Sequence, residues 1–305
     1  MNMKDNFKMP ISPYKTKIFN FFRLPLRHPI IESILISLQQ MGIPFVERFF
    51  PSHFLYVQPA IRDVTRWGIK FTLDISDYVD WLAYYKIEDV PQDRLMKICK
   101  HGDIVFDVGV NIGVTALKFA KKVGVDGLVI GFEPDKLNYS KFLRNAALNE
   151  FTNIEVYNDG LSDHAESVLL CSPNPSNRGE NRVTPKDFFK SDTMSPVALV
   201  TLDEFMKKLD LDRLDLIKID VEGYEIKVIK GARETIRQHH PRIFMELDDR
   251  LLRDHGGAAN ELLEVLEGLG YRIQNAETLE NMSSNENYNG CHIDVLCQFE
   301  NASHK

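Results

Sequence analysis

From about residue 100 onward, two hydrophobic patterns alternate along the chain. Short continuous apolar runs, "DIVFDVG" (103–109), "GLVIGFEP" (127–134) and "LDLIKIDVEG" (214–223), read as strands buried on both faces. After each, apolar positions recur at helical spacing: Ala116, Phe119, Ala120 and Val123; Tyr139, Phe142, Leu143 and Ala146; Ile226, Ile229, Ala232 and Ile236. "NIEVYNDGL" (153–161) reads as one more strand and "ESVLLCS" (166–172) as an edge-like one. "PRIFMELD" is another strand, Leu262, Val265, Leu266 and Leu269 stripe a late helix, and "HIDVLCQFE" is the closing strand. The Pro-rich stretch 172–196 reads as one long loop. Such alternation predicts an α/β, doubly wound, mostly parallel sheet, with ligands bound beyond the carboxyl ends of its strands.

Residues 1–65 have a different texture, rich in aromatic, basic and proline residues. "IIESILISLQQMGIPFVERFF" (30–50) predicts helix with a break near Gly42 and Pro44. The expected organisation is therefore an N-terminal helical extension, 1–65, and one α/β domain, 66–305.

Composition narrows the function. A hydrophobic content of 44% supports a sizeable core, and a net charge of -7 argues against nucleic-acid binding by bulk electrostatics. The charge is uneven: in residues 1–30, Lys4, Lys8, Lys15, Lys17, Arg23 and Arg27 face only Asp5, so the rest of the chain is strongly acidic. Cys99, Cys171, Cys291 and Cys297 form no C-x-x-C pair, which fits a reducing compartment. The segment "KIFNFFRLPLRHP" is too interrupted for a signal peptide or a membrane span, so the expectation is a cytoplasmic protein. The basic, aromatic N-terminus reads first as a packed arm covering one edge of the domain; a membrane-surface contact through residues 1–30, with Phe19, Phe21 and Phe22 beside Lys and Arg, and a dimer contact through 31–50 are the alternatives.

The turn "VFDVGVNIG" carries the candidate chemistry. Asp107 ends a strand, and Gly109, Asn111 and Gly113 form a tight turn into a helix. A dinucleotide turn would need glycine at 111 and 114, where Asn111 and Val114 stand. An acid beside the turn repels pyrophosphate but suits a ligand with an amine and a positive charge and no phosphate. S-adenosyl-L-methionine has that chemistry. Glu133, at the end of the next strand, is placed to grip both ribose hydroxyls, and Asp159 and Gly160 to meet an adenine edge.

The stretches "GDIVFDVGVNIGVTALKFAK", "GFEPDKLNYSKFLRNAALN" and "LDLIKIDVEGYEIKVIKGA" resemble the FkbM family of S-adenosylmethionine-dependent methyltransferases. With the upstream "RWGIKFTLDISDYVDWLAYY", the resemblance covers residues 66–250. It implies a class I, Rossmann-like methyltransferase fold of about seven strands, the last antiparallel, and O-methylation of hydroxyls on small molecules, sugars or lipid-linked glycans. Val110 stands where the family more often has alanine.

Asp220, ending "LIKID", is the candidate to orient or deprotonate the acceptor. Glu222 is a second catalytic candidate or, equally, a helix cap. Lys218 alternates with Asp220 and is a candidate buried partner. Asp220, Glu246 and Asp248 are the alternative ligand set for Mg²⁺, and His292 is a further candidate base. A non-catalytic binding domain is the remaining alternative.

Overall fold

The structure is a computed structural model that describes residues 20–300 apart from Glu88, Pro175, 185–193 and Asp210. Phe19, the N-terminal lysines and the core of the expected long loop lie outside the described residues. The chain forms two compact units, one running through Asp89 and taking in Asn174–Gly179, the other formed by Val90–Pro173 and Glu180 onward. The boundary expected at residue 65 cuts a hairpin of strands β1 (Ile61–Arg66) and β2 (Ile69–Asp74), so the division falls after Asp89 instead.

In the first unit, helix α1 (Pro29–Gln40) begins at a proline and stops just before the expected break at Gly42. The hairpin and helix α2 (Tyr78–Tyr85) complete the unit. One buried network holds it together. The fully buried Glu32 of α1 pairs with Arg62 (3.0 Å) and accepts hydrogen bonds from the hydroxyls of Tyr56 (2.8 Å) and Tyr84 (2.9 Å). A buried carboxylate is tolerated here because each oxygen is matched by donors.

The second unit contains the alternation read from the sequence. Its strands are β3 (Ile104–Val108), β4 (Leu128–Phe132), β5 (Ile154–Tyr157), β6 (Gly160–Leu161), β7 (Glu166–Cys171), β8 (Arg182–Thr184), β9 (Met194–Val200), β10 (Leu216–Ile219), β11 (Arg242–Asp248), β12 (Tyr271–Asn275), β13 (Asn281–Met282) and β14 (His292–Phe299). Its helices are α3 (Val90–Ile98), α4 (Val114–Val123), α5 (Lys136–Ala147), α6 (Leu202–Met206), α7 (Glu225–Gly231), α8 (Arg233–His239), α9 (Asp249–Asp254) and α10 (Ala259–Gly268).

Eight strands form the main sheet in the order β13-β12-β14-β11-β10-β3-β4-β5. Strands β11, β10, β3, β4 and β5 run parallel, and β14 is antiparallel between β11 and β12, as expected of the closing strand. The eighth strand is the two-residue β13. "NIEVYNDGL" is not one strand: β5 stays in the main sheet, while β6 crosses to a second sheet of order β6-β9-β7-β8. "ESVLLCS" belongs to that second sheet, between β9 and β8, and part of the expected loop is β8 itself.

The core lies on both faces of the main sheet, as its continuous apolar strands require. Phe106, Phe132, Ile217 and Met245 are fully buried in one continuous core that also takes in the stripe of α10. The predicted stripe of α4 is buried throughout, from Ala116 to Val123. All four cysteines are free thiols. Among the described residues, no helix is long and apolar enough to cross a membrane.

Candidate active site

The parallel strands β4, β3, β10 and β11 deliver their carboxyl ends side by side, and nearly every candidate residue sits there. The turn after β3 is built on positive φ angles at Gly109 (87°), Asn111 (54°) and Gly113 (92°). Gly109 is required twice over. Its φ is left-handed, and a Cβ there would lie 1.9 Å from the carbonyl oxygen of Asp220 on the neighbouring strand. At Gly113 a Cβ would run into the ring of Phe142 at 2.5 Å. Asn111 tolerates the left-handed conformation because its own Oδ1 accepts the N–H of Ile112 at 2.7 Å. Helix α4 then starts with no side chain capping its first turn.

Glu133 locks this turn to the next strand. Its Oε2 accepts the N–H of Asn111 at 2.7 Å, and its Oε1 accepts that of Asp135 at 2.9 Å. Burial pushes its carboxyl up to about 7 against those hydrogen bonds. Asp159 is half-buried and Gly160 buried where β5 hands over to β6.

Asp107 has a cation of the protein beside it. It is fully buried, and strand register sets it directly opposite Lys218, whose ammonium is 3.3 Å from its Oδ1. A cation of the protein itself therefore stands beside the carboxylate that the sequence assigned to a ligand. Lys218 also donates to the carbonyl of Gly109 at 3.0 Å and lies 3.4 Å from Asp220. Burial works against its charge, but Asp107 and Asp220 outweigh it and hold the ammonium above its usual range. One buried cation therefore joins the turn, the strand carboxylate and Asp220.

On the far side of Lys218, ligand oxygens of Asp220, Glu222 and Glu246 all lie within 4.8 Å of one another. Asp220 is half exposed. Burial, then the charges of Asp220 and Glu225, push Glu222 up to about 8. Glu246 is raised well above the usual carboxylate range by burial and by Asp220 and Glu222, and register sets it opposite a further acid, Asp294.

Two roles differ from the sequence reading. Glu222 is not a helix cap: Glu225 serves the turn, accepting the N–H groups of Val221 and Gly223 at 3.2 Å each. Asp248 is not in the carboxylate cluster. Its Oδ1 caps α9 through the N–H groups of Arg250 and Leu251, and its Oδ2 faces His292 at 3.0 Å. Glu222 takes its place beside Asp220 and Glu246. His292 lies between Asp248 and Glu246, 3.5 Å from the latter, at the rim of the cluster. The sequence reading missed Glu225 altogether; its signal was an acid two residues after a glycine at a helix start.

Residues 107–273 match the methyltransferase FkbM domain. Hexuronic acid methyltransferase AglP of Haloferax volcanii is 24% identical over 185 residues, covering 59% of this chain and 70% of that protein. Methyltransferase sdnD of Sordaria araneosa is 29% identical over 193 residues, covering 51% and 74%. The crystal structure of methyltransferase FkbM from Methylobacillus flagellatus is 16% identical with a TM-score of 0.41, covering 72% of this chain and 52% of that one.

Proposed function

The chain belongs to the methyltransferase FkbM family, and from that premise we propose that it transfers a methyl group from S-adenosyl-L-methionine to a hydroxyl of a small molecule, sugar or lipid-linked glycan. The observation that carries the reading is the side-by-side placement of two chemistries: the Gly109–Gly113 turn with Glu133, and the cluster of Asp220, Glu222 and Glu246. The turn fits a phosphate-free nucleoside. Glu133 spends one acceptor site per oxygen on backbone N–H groups, which leaves lone pairs for two ribose hydroxyls. The uncapped first turn of α4 offers free N–H groups to a carboxylate.

When bound, the cofactor supplies an electrophilic methyl group on a sulfonium sulfur. The chain's task is alignment and proton removal. Asp220, steered by Lys218, accepts a hydrogen bond from the acceptor hydroxyl and orients it. Glu222, pushed up to about 8, is matched to taking that proton near neutral pH. Burial and the charges of Asp220 and Glu225 sustain that proton affinity.

The acidic surroundings also favour the acceptor class. The Asp220 carboxylate beside two acids that hold their protons disfavours an anionic oxygen and accepts a neutral hydroxyl. The methyltransferase named for hexuronic acid supports a sugar acceptor, and on this reading methylation falls on a hydroxyl rather than on a carboxylate. Incubation with S-adenosyl-L-methionine and a panel of neutral sugars and sugar acids tests this. Methyl ethers are the expected product; methyl esters alone would overturn the hydroxyl assignment, and no transfer at all would leave a binding domain.

The same cluster supports a second reading, in which Asp220, Glu222 and Glu246 hold Mg²⁺ that acidifies the acceptor. Turnover that stops with a chelator and returns with Mg²⁺ would favour it; turnover indifferent to chelation leaves Glu222 as base.

A further inference from the structure

We propose that the N-terminal unit docks on an anionic lipid surface through residues 20–61. Twelve of the eighteen exposed large apolar side chains among the described residues lie between Phe21 and Ile61. Phe21, Phe45, Phe49 and Phe54 are each more than half exposed, and Met41 is 74% exposed.

Helix α1 makes the point most sharply. A helix that covers a soluble core normally turns charge toward water. The sole charged residue of α1 is Glu32, and it is fully buried against Arg62, Tyr56 and Tyr84. The exposed side of α1 carries Ile30, Ser33, Ile34 and Ser37 instead. The buried network therefore spends the helix's only charge on holding the unit together and leaves an uncharged, apolar face outward. Exposed apolar side chains gathered in one segment point to an interaction surface.

Charge decides the occupant. Residues 1–30 hold six basic side chains against Asp5, in a chain of net charge -7. Within the described part, arginines sit among the apolar groups: Arg23 is anchored on the carbonyl of Arg48 at 3.0 Å, and Arg48 lies 4.5 Å over the ring of Phe45. Two copies meeting symmetrically at this end would bring two runs of six bases against one acid, residues 1–30, toward each other. A bilayer rich in anionic headgroups takes both features at once: aromatic and aliphatic groups enter the interface while Lys and Arg meet phosphate.

The test is co-sedimentation of the full chain with vesicles of phosphatidylcholine alone and with about one third phosphatidylglycerol added. Binding to the anionic vesicles only is expected, reversed by about 0.5 M salt. Ile30→Gln/Ile34→Gln should weaken it at least about tenfold, with an unchanged melting curve and unchanged affinity for S-adenosylhomocysteine. Phe21→Ser/Phe22→Ser is the second variant, at side chains too exposed to affect folding. The proposal is overturned by equal sedimentation with and without vesicles, or by variants that bind like the parent. Self-association abolished by the same variants, without vesicle binding, would assign the surface to a second copy instead.

Discussion

Replacing Lys218 with methionine preserves the aliphatic length of a side chain that is 9% exposed and removes its charge. Asp107, fully buried, then keeps no counter-charge. At the 3.3 Å separation seen here, and at an effective dielectric constant of about 20, the lost attraction is at most about 5 kcal/mol, less where Asp107, already raised by burial, takes up a proton. Breaking a buried pair from one side typically costs about 3–5 kcal/mol. The Gly109 carbonyl also loses its donor, while the half-exposed Asp220 is screened by water and adds little. A loss near 4 kcal/mol is a large part of the roughly 5–15 kcal/mol that holds a domain folded. It corresponds to a melting temperature lower by about 10 °C. Urea unfolding followed by circular dichroism measures it. The second arm is Asp107→Asn in the Lys218→Met background, which removes the stranded charge and should recover most of the loss. A single variant that loses less than about 1 kcal/mol, or a double variant worse than the single, would refute the argument that the pair is a closed internal unit.

Gly109→Ala should collapse affinity for S-adenosylhomocysteine and lower stability by more than about 3 kcal/mol, because the new Cβ meets the Asp220 carbonyl at 1.9 Å; calorimetry and urea unfolding at parental values would contradict this. Glu222→Gln should lower kcat by about 10²–10⁴ while leaving S-adenosylhomocysteine affinity intact; a purely structural Glu222 would leave kcat nearly unchanged. Stability should fall as pH rises from about 6.5 to about 8. Glu133 and Glu225 at about 7 and Glu222 at about 8 bind protons more tightly folded than unfolded, so their stabilising contribution is complete below the unfolded value near 4.5 and is lost as pH rises through the folded values. His255, lowered to about 4 by burial, opposes the trend only between that value and its unfolded value near 6.5, at the lower edge of the window. Glu222→Gln should flatten the upper part of the curve and stabilise the protein at pH 8; a midpoint that rises with pH would reverse the assignment.

Local physics made much of this legible in the sequence. The runs that became β3, β4 and β10 are continuously apolar because both faces are covered, and that pattern survives in the letters alone. Gly109, Asn111 and Gly113 announced a left-handed turn, and Glu133 the end of the next strand. What stayed hidden depends on register between strands distant in the chain. The direct opposition of Lys218 to Asp107, which puts a protein cation beside that carboxylate, is one such case. Asp248 and Glu222 exchanged roles because a short helix after β11 demanded a cap, which "LDDRLLRD" signals only once that helix is recognised. The split of "NIEVYNDGL" between two sheets has no local signature, since both halves are strand-like.

The account rests on the turn after β3 being a nucleoside site. Isothermal calorimetry of S-adenosylhomocysteine against the full chain tests it most directly. One-to-one binding with a dissociation constant of roughly micromolar order, weakened at least about tenfold by Glu133→Ala, is the predicted result. No heat and no thermal stabilisation at millimolar-scale ligand would contradict it.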